Sequence, residues 1–210
     1  MPAFDSPSQA NDQRWLAVGA REPTLAPPMD ASADPFGPLV TRHLVLSPLS
    51  TNDSAADFLP VFNSNPDFVE ASEGITGRDR YSEDEVALYL WQERMREHSI
   101  VFAIRHRDTG EVIGILAALV PGRDDGVPWI GLLVLTRDRQ RSGMGREAAA
   151  AFEASLRRSG AARVGLHVMT SQPGARRFWE SLGHVVIGET TDSNGRPVWQ
   201  MEKELGPSVE

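Results

Sequence analysis

The sequence predicts a mixed α/β domain, and three observations predict it. From His43 onward short apolar runs alternate with amphipathic ones, turn residues stand between them, and two hairpin signals, Asp108-Thr109-Gly110 and Asn194-Gly195, join apolar runs directly. At 210 residues the chain can bury a sizeable core without disulfides, and it has no cysteine to form one. The N-terminal part reads differently. Pro2, Pro7, Pro23, Pro27, Pro28, Pro35 and Pro38 interrupt it and neither the strand nor the helix period is sustained, so residues 1–40 are expected to be a flexible tail, 41–206 the domain and 207–210 a second tail. Trp15-Leu16-Ala17-Val18 in the first tail is either an incidental apolar cluster or an arm that docks on the domain or on a second subunit.

His43 to Leu46 is expected as a first strand, and Asn52 to Phe62 as a helical stretch that Pro60 ends or distorts. Asn63-Ser64-Asn65-Pro66 is a polar loop. Ser82-Glu83-Asp84-Glu85 fits a capping box; the helix it opens has acids in its first turn, Arg96 and His98 at its end, and Val86, Tyr89, Leu90 and Trp91 as its apolar stripe. Ile100 to Ile104 and Val112 to Val120 form a hairpin, and Trp129 to Leu135 a further strand. A basic loop, Arg137 to Gly145, leads into a helix from Arg146 to Ser159, in which Met144, Ala148, Phe152 and Leu156 line up, Glu153 can pair with Arg157, and Gly160 ends the run. Val164 to Val168 is a strand. Pro173 starts a short helix that closes at Gly183 with Ala175, Phe178 and Leu182 on one face, and strands His184 to Gly188 and Pro197 to Met201 complete the chain.

Charge narrows the function. Lys and Arg number 21 against 29 Asp and Glu, a net −8, which argues against broad electrostatic binding to nucleic acid or anionic membranes. No apolar run approaches the roughly 18 residues of a membrane span. The start Met1-Pro2-Ala3-Phe4-Asp5 lacks the basic end and apolar core of a signal peptide, so a soluble, cytoplasmic protein is expected. Without cysteine there is no thiol catalysis, thiolate zinc or iron–sulfur site, and the five histidines show no metal-ligand spacing; no metal is expected.

The chemistry concentrates between Leu133 and Arg146. A strand leaves through a turn into a helix whose first amides have no helical acceptor and whose dipole favours an anion. Gly143 and Gly145 allow close backbone approach, and Arg137, Arg139, Arg141 and Arg146 surround them, opposed nearby only by Asp138 and Glu147. A phosphorylated ligand fits this pattern; so does a plain strand–turn–helix connection with solvated arginines. Neither the dinucleotide glycine pattern nor the P-loop is present.

Gln140-Arg141-Ser142-Gly143-Met144-Gly145 resembles the Gln/Arg-x-x-Gly-x-Gly/Ala signature of the GNAT superfamily of acyl-CoA-dependent N-acetyltransferases. Gln172-Pro173-Gly174-Ala175-Arg176-Arg177-Phe178-Trp179-Glu180-Ser181-Leu182-Gly183-His184 resembles the family's Asn-x-x-Ala-x-x-Phe-Tyr-x-x-x-Gly-Phe segment. The element order from His43 to Leu205 is also similar. The resemblance implies a central, mostly antiparallel sheet flanked by helices and splayed between the fourth and fifth expected strands, with the pantetheine arm of acetyl-CoA in the wedge. Backbone groups of Leu133, Val134 and Leu135 would pair with that arm, the amides from Arg141 through Ser142, Gly143, Met144, Gly145 and Arg146 would cradle the pyrophosphate, and Gln140, Gln172, Phe178 and Trp179 would complete the site. Arg137 and Arg139 either add charge near the adenosine phosphate or are solvated. The implied reaction is direct attack of a primary amine, from a small molecule or a protein, on acetyl-CoA, with the Leu135 N–H polarising the thioester oxygen. A homodimer is compatible with the resemblance.

The chain departs from the family in three places. Trp179 stands where the family often carries the Tyr that protonates the leaving thiolate; an indole cannot do this, so Trp179 is expected as an aromatic wall, with water or another residue as the acid. Gln172 replaces Asn and keeps an amide, while His184 replaces Phe and is expected to affect packing only. For the base, His167 lies on the strand facing the wedge, either accepting a proton from the amine or packed on its neighbours. The acceptor rim is expected from Asn63, Asn65, Asp67, Glu70, Glu73, Tyr81, Asp124 and Asp125, groups that attract a cationic amine or merely solvate the loops. A non-catalytic acyl-CoA-binding module is the rival reading.

Overall fold

The computed structural model describes residues 36–67, 80–122, 126–192 and 194–206. Most of the expected N-terminal tail, its Trp15 to Val18 cluster, residues 207–210, and Glu70, Glu73, Asp124 and Asp125 lie outside the described residues. The elements are β1 (Leu39–Val40), β2 (Leu44–Pro48), α1 (Ala55–Asn63), α2 (Glu83–Met95), β3 (Ser99–His106), β4 (Val112–Leu119), β5 (Trp129–Leu135), a 3-10 turn (Arg137–Arg139), α3 (Met144–Arg158), β6 (Arg163–Met169), α4 (Pro173–Glu180), β7 (Val185–Thr191) and β8 (Pro197–Glu204). They make a mixed α/β fold around one eight-stranded sheet in the order β1-β2-β3-β4-β5-β6-β8-β7. Every pairing is antiparallel except β5 with β6.

Each face of the sheet is covered because each strand alternates its side chains. One core gathers Leu44, Leu46, Phe102, Ile104, Leu166 and Val168 beneath α3 and α4, with Phe152, Leu156 and Trp179 supplied by those helices. The other gathers Val101, Ala103, Ile115 and Val134 beneath Phe58, Phe62, Val86 and Leu90 of α1 and α2. Phe36 and Leu39 fall within the span expected to be tail, yet both are buried, and the Phe36 ring lies 6.4 Å from Phe152.

Local chemistry explains the boundaries. The capping box of α2 forms with both reciprocal bonds, Ser82 Oγ accepting from the Glu85 amide and Glu85 accepting from the Ser82 amide. The buried face of that helix is Val86, Leu90 and Glu93. Trp91 sits one residue, about 100° of turn, beyond Leu90 and is 56% exposed, so it does not belong to the stripe. Helix α1 starts at Ala55 on the Ser54 cap and runs through Pro60 to Asn63, so the proline does not end it. Gly110 at φ +72° and Gly195 at φ +74° occupy the left-handed region in the two hairpin turns, where a side chain would be strained. Glu153 faces inward, and its two carboxylate oxygens meet His184 and Lys203 across the fold.

Candidate active site

β5 and β6 pair only at Trp129↔Gly165 and Ile130↔Leu166. Beyond those positions β5 remains with β4 as far as Gly114↔Leu135, and β6 remains with β8 as far as Met169↔Val198, so the two strands part and leave a wedge. This is the splay expected between the fourth and fifth strands, which are fifth and sixth in the fold because β1 precedes them.

The strand alternation settles what faces the gap. The Thr136 amide donates to the Ile113 carbonyl at 2.8 Å, so at two-residue steps Val134 also faces β4, while the backbone groups of Leu133 and Leu135 face the wedge. On the opposite wall the Thr170 amide donates to Pro197 at 3.1 Å, which turns the backbone of His167 and Met169 toward β5. Backbone groups of both strands thus turn toward the gap, and two of the carbonyls find partners outside the sheet: that of Leu135 accepts from Asn65 and Gln140, and that of Met169 from the Gln172 amide at 2.9 Å.

At the open end the chain turns into α3. Arg141 and Gly143 have φ +58° and +89°, and Gly143 caps the helix without a side-chain bond. A Cβ on Gly143 would meet nothing within 4 Å, so the space beside this glycine, at the N-terminus of α3, is open. Left-handed residues followed by a helix N-terminus form an anion-binding concavity. A Cβ on Gly145 would lie 3.6 Å from the Phe178 ring, so Phe178 packs beside the first turn of α3.

Three of the four arginines around this turn have partners of their own. Arg146 donates to the Ser181 carbonyl at 3.1 Å and its hydroxyl at 2.9 Å; Arg137 pairs with Asp67 at 3.2 Å; Arg139 pairs with Asp138 at 3.3 Å and Glu111 at 3.5 Å. Glu147, in the first turn of α3, is turned away by Thr41 Oγ1 at 2.6 Å, the His43 amide at 2.7 Å and His43 Nδ1 at 2.8 Å. Burial works to raise its pKa, but those hydrogen bonds and the nearby imidazole outweigh it and hold the carboxyl below its ordinary value.

Gln140, which opens the signature, has its side-chain nitrogen committed inside the protein. It donates to Asn65 Oδ1 at 2.6 Å and to the Leu135 carbonyl at 3.0 Å. Asn65 is buried, and its own nitrogen donates to the same Leu135 carbonyl at 2.9 Å and to Val61 at 2.7 Å. Ser64 Oγ accepts from the Arg137 amide at 3.1 Å. The end of α1 is thereby bolted to the end of β5 and to the phosphate-type loop. Asn63 exchanges two hydrogen bonds with the backbone of Tyr81. Asn63 and Asn65 are therefore structural ties, which corrects their expected place on an acceptor rim.

His184 is not a packing substitution. Its ring is fully buried, Nε2 lies 3.0 Å from Glu153 Oε1, and Lys203 Nζ meets the second carboxylate oxygen. His184 Nδ1 has no hydrogen-bond partner among the described residues. Burial alone would raise the Glu153 pKa; the hydrogen bonds and charges of His184 and Lys203 prevail and lower it. Above this cluster Trp179 is buried, 5.1 Å from His184 and 5.0 Å from Phe178, so the indole supports Phe178 from below. Gln172 precedes Pro173 at the start of α4 and makes no side-chain cap bond.

His167 is half-buried on the sheet face opposite Leu166 and Val168, with its ring 4.6 Å from that of Trp129 in an edge-on arrangement. Trp129 and Gly165, whose contact sequence reasoning missed, pack on each other at the root of the wedge. Their only signal was an aromatic residue opening the motif strand, because their pairing spans 36 positions across a parallel crossover. Among the described residues no three His, Asp or Glu side chains gather as a metal site requires, and no helix is long and apolar enough to cross a membrane.

Residues 66–184 match the family model described as "Acetyltransferase (GNAT) family". Among solved structures, a probable acetyltransferase (GNAT family) from Chromobacterium violaceum ATCC 12472 superposes with a TM-score of 0.69 at 15% identity, covering 91% of this chain and 98% of that one. An acetyltransferase from Thermus thermophilus gives 0.63 at 22% identity, with 78% and 97% covered. A chimera of the spermidine N-acetyltransferase SpeG from Vibrio cholerae and hSSAT gives 0.57 at 16% identity, with 78% and 96% covered. At these identities the likeness is one of fold. None of the curated proteins compared with the chain matches it.

Proposed function

Since the chain belongs to the GNAT acetyltransferase family, we propose that it transfers acetyl from acetyl-CoA to a primary amine of a small molecule or protein, by direct attack in a ternary complex. The observation that carries this reading is the wedge between β5 and β6 opening onto the Arg141–Arg146 cradle.

The first-turn amides of α3 hold the pyrophosphate, with Phe178 against Gly145 as the wall beside it. The Leu135 amide and the backbone of Leu133 pair with the pantetheine amides, as strand backbone pairs with an added strand, while Asn65 and Gln140 hold the Leu135 carbonyl. Leu135 adjoins the cradle, since its side chain would lie 3.9 Å from a Cβ on Gly145. The thioester lies at the far end of the pantetheine arm, so the amide that polarises its oxygen is that of Leu133, one step deeper, and Leu135 serves the arm. His167 accepts the proton of the ammonium, directly or through water. The amine nitrogen bonds to the acyl carbon, the carbon–sulfur bond breaks, and the sulfur leaves with the bonding pair; water protonates it, because Trp179 is buried and has no acidic proton to give.

One observation favours a second reading, a non-catalytic acyl-CoA-binding module: the position of the family's Tyr holds a buried Trp179. Calorimetric titration with acetyl-CoA, with NADH as comparator, followed by thiol release across an amine panel, decides between them. Saturable one-to-one binding with turnover supports the enzyme, binding without turnover the module, and no binding refutes both. With His167→Ala, turnover should fall while acetyl-CoA affinity and folding persist, and the acidic limb of the pH–rate profile should move; a limb that stays in place makes His167 structural.

A further inference from the structure

We propose that Trp129, seated over Gly165, closes the inner end of the wedge and restricts the acyl group to a short chain; this rests on the acetyl-CoA reading above. Trp129 and Gly165 are partners in the first of the two register pairs that hold β5 and β6 together; one further pair, Ile130↔Leu166, follows before the strands part. The indole crosses from one strand to the other. A Cβ built on Gly165 would lie 2.4 Å from Cζ3, 2.5 Å from Cε3 and 3.3 Å from Cη2 of Trp129, so the six-membered ring rests directly on the β6 backbone. Real side chains do not approach so closely, and any residue larger than glycine at 165 would displace the indole.

The ring is also held in place. Trp129 is 7% exposed, and the His167 imidazole stands 4.6 Å away at 78°, so the indole cannot swing aside without breaking packing on both strands. Val164, Leu166 and Val168 belong to the core beneath α3, so Gly165, His167 and the indole share the opposite face. The indole therefore stands next to the proposed base, at the root of the same gap.

Direction supplies the specificity. The cradle lies at the open end of the wedge and the arm passes Leu135 and then Leu133, so the acyl carbons, being the terminal atoms, point toward the root. Each carbon added to the acyl chain extends it toward the six-membered ring. Steric refusal of this kind is sharp, because a packed interior does not yield by a methylene without strain. A single methylene discriminates by about 10- to 200-fold where a pocket is rigid.

The test is a series of acetyl-, propionyl-, butyryl- and hexanoyl-CoA, with unacylated CoA as the fold and cradle control. Dissociation constants come from calorimetry, and kcat/KM comes from thiol release with one accepted amine. Wild type should favour acetyl- over butyryl-CoA by about 100-fold or more, and Trp129→Val should narrow that ratio by about tenfold or more while CoA itself binds unchanged. Should Trp129→Val not fold, Trp129→Phe, which keeps an aromatic ring of smaller reach, should admit propionyl-CoA selectively. Hexanoyl-CoA accepted by wild type as well as acetyl-CoA would overturn the proposal. So would an unchanged chain-length ratio in the variants, including the case in which only the amine KM moves and Trp129 proves to be an acceptor wall. Wild type that binds acetyl-CoA but not butyryl-CoA supports it, whereas wild type that binds no acyl-CoA removes the acetyl-CoA reading and this inference with it.

Discussion

Replacing Glu153 with leucine should destabilise the domain. The glutamate side chain is 7% exposed and the His184 ring is 0% exposed, so the removed carboxylate leaves an imidazole that water cannot reach. With Nδ1 already lacking a partner among the described residues, both ring nitrogens would then be unsatisfied. Leaving a buried donor without its acceptor costs about 1–3 kcal/mol. Lys203 adds less, because its side chain is 24% exposed and can turn to solvent. Breaking a fully buried pair costs about 3–5 kcal/mol, and the exposure of Lys203 places this case near the lower end of that range. For a domain of this size about 3 kcal/mol lowers Tm by roughly 6–12 °C. Urea denaturation followed by tryptophan fluorescence measures it. His184→Phe supplies the counter-test, because replacing both partners by apolar groups removes the orphan: the double variant Glu153→Leu with His184→Phe should be more stable than the sum of the singles by about 1–3 kcal/mol. A loss below about 0.5 kcal/mol in Glu153→Leu, or strict additivity in the double variant, would refute the network as a source of stability. The pH dependence carries a sign. Because the folded pKa of Glu153 is depressed, its contribution is complete above the ordinary carboxylate pKa of about 4.3 and is lost as pH falls through the folded value, so Glu153→Leu should flatten the acid limb of the stability curve.

Two further outcomes concern the mouth of the wedge. Gly143→Val puts a β-branched side chain at φ +89° at the N-terminus of α3; it should abolish acetyl-CoA binding and cost about 1–2 kcal/mol in stability, and unchanged calorimetric affinity would remove the cradle. Asn65→Asp turns a buried donor into an acceptor facing the Val61 and Leu135 carbonyls, so unfolding should show a loss of about 1–3 kcal/mol or more, together with weakened acetyl-CoA affinity because the Gln140 loop loses its anchor; wild-type values of both would sink the tie.

The linear order of elements was legible because it rests on local chemistry. The Ser82–Glu85 box, Gly110, Pro173 and Gly195 act within a few residues of themselves, and each stands where its local rule places it. Trp91 shows the limit: an apolar residue beside a buried Leu90 can belong to either side of a helix stripe, and only the packing of α2 on the sheet turns Glu93 inward and Trp91 outward. The partners of Glu153 show the same limit. A helical neighbour at Arg157 is visible in the sequence, whereas Lys203 lies 50 residues away and His184 lies 31.

What the sequence by itself determined is the identity of the parts: a mixed sheet flanked by helices, a glycine-bearing turn at the mouth of a helix, and the two motifs that resemble one family. The first two follow from periodicity and turn chemistry, which operate over distances the chain carries within itself; the third is a resemblance carried by the motif residues. What only the tertiary structure decided is which groups those parts present. Arg137, Arg139 and Arg146 are paired elsewhere, the amide of Gln140 is spent on Asn65 and Leu135, and Trp129 lies on Gly165 at the root of the wedge. The physical reason is that each hydrogen bond or contact is chosen against all competing partners brought within reach by folding, and those partners stand tens of residues apart in the chain.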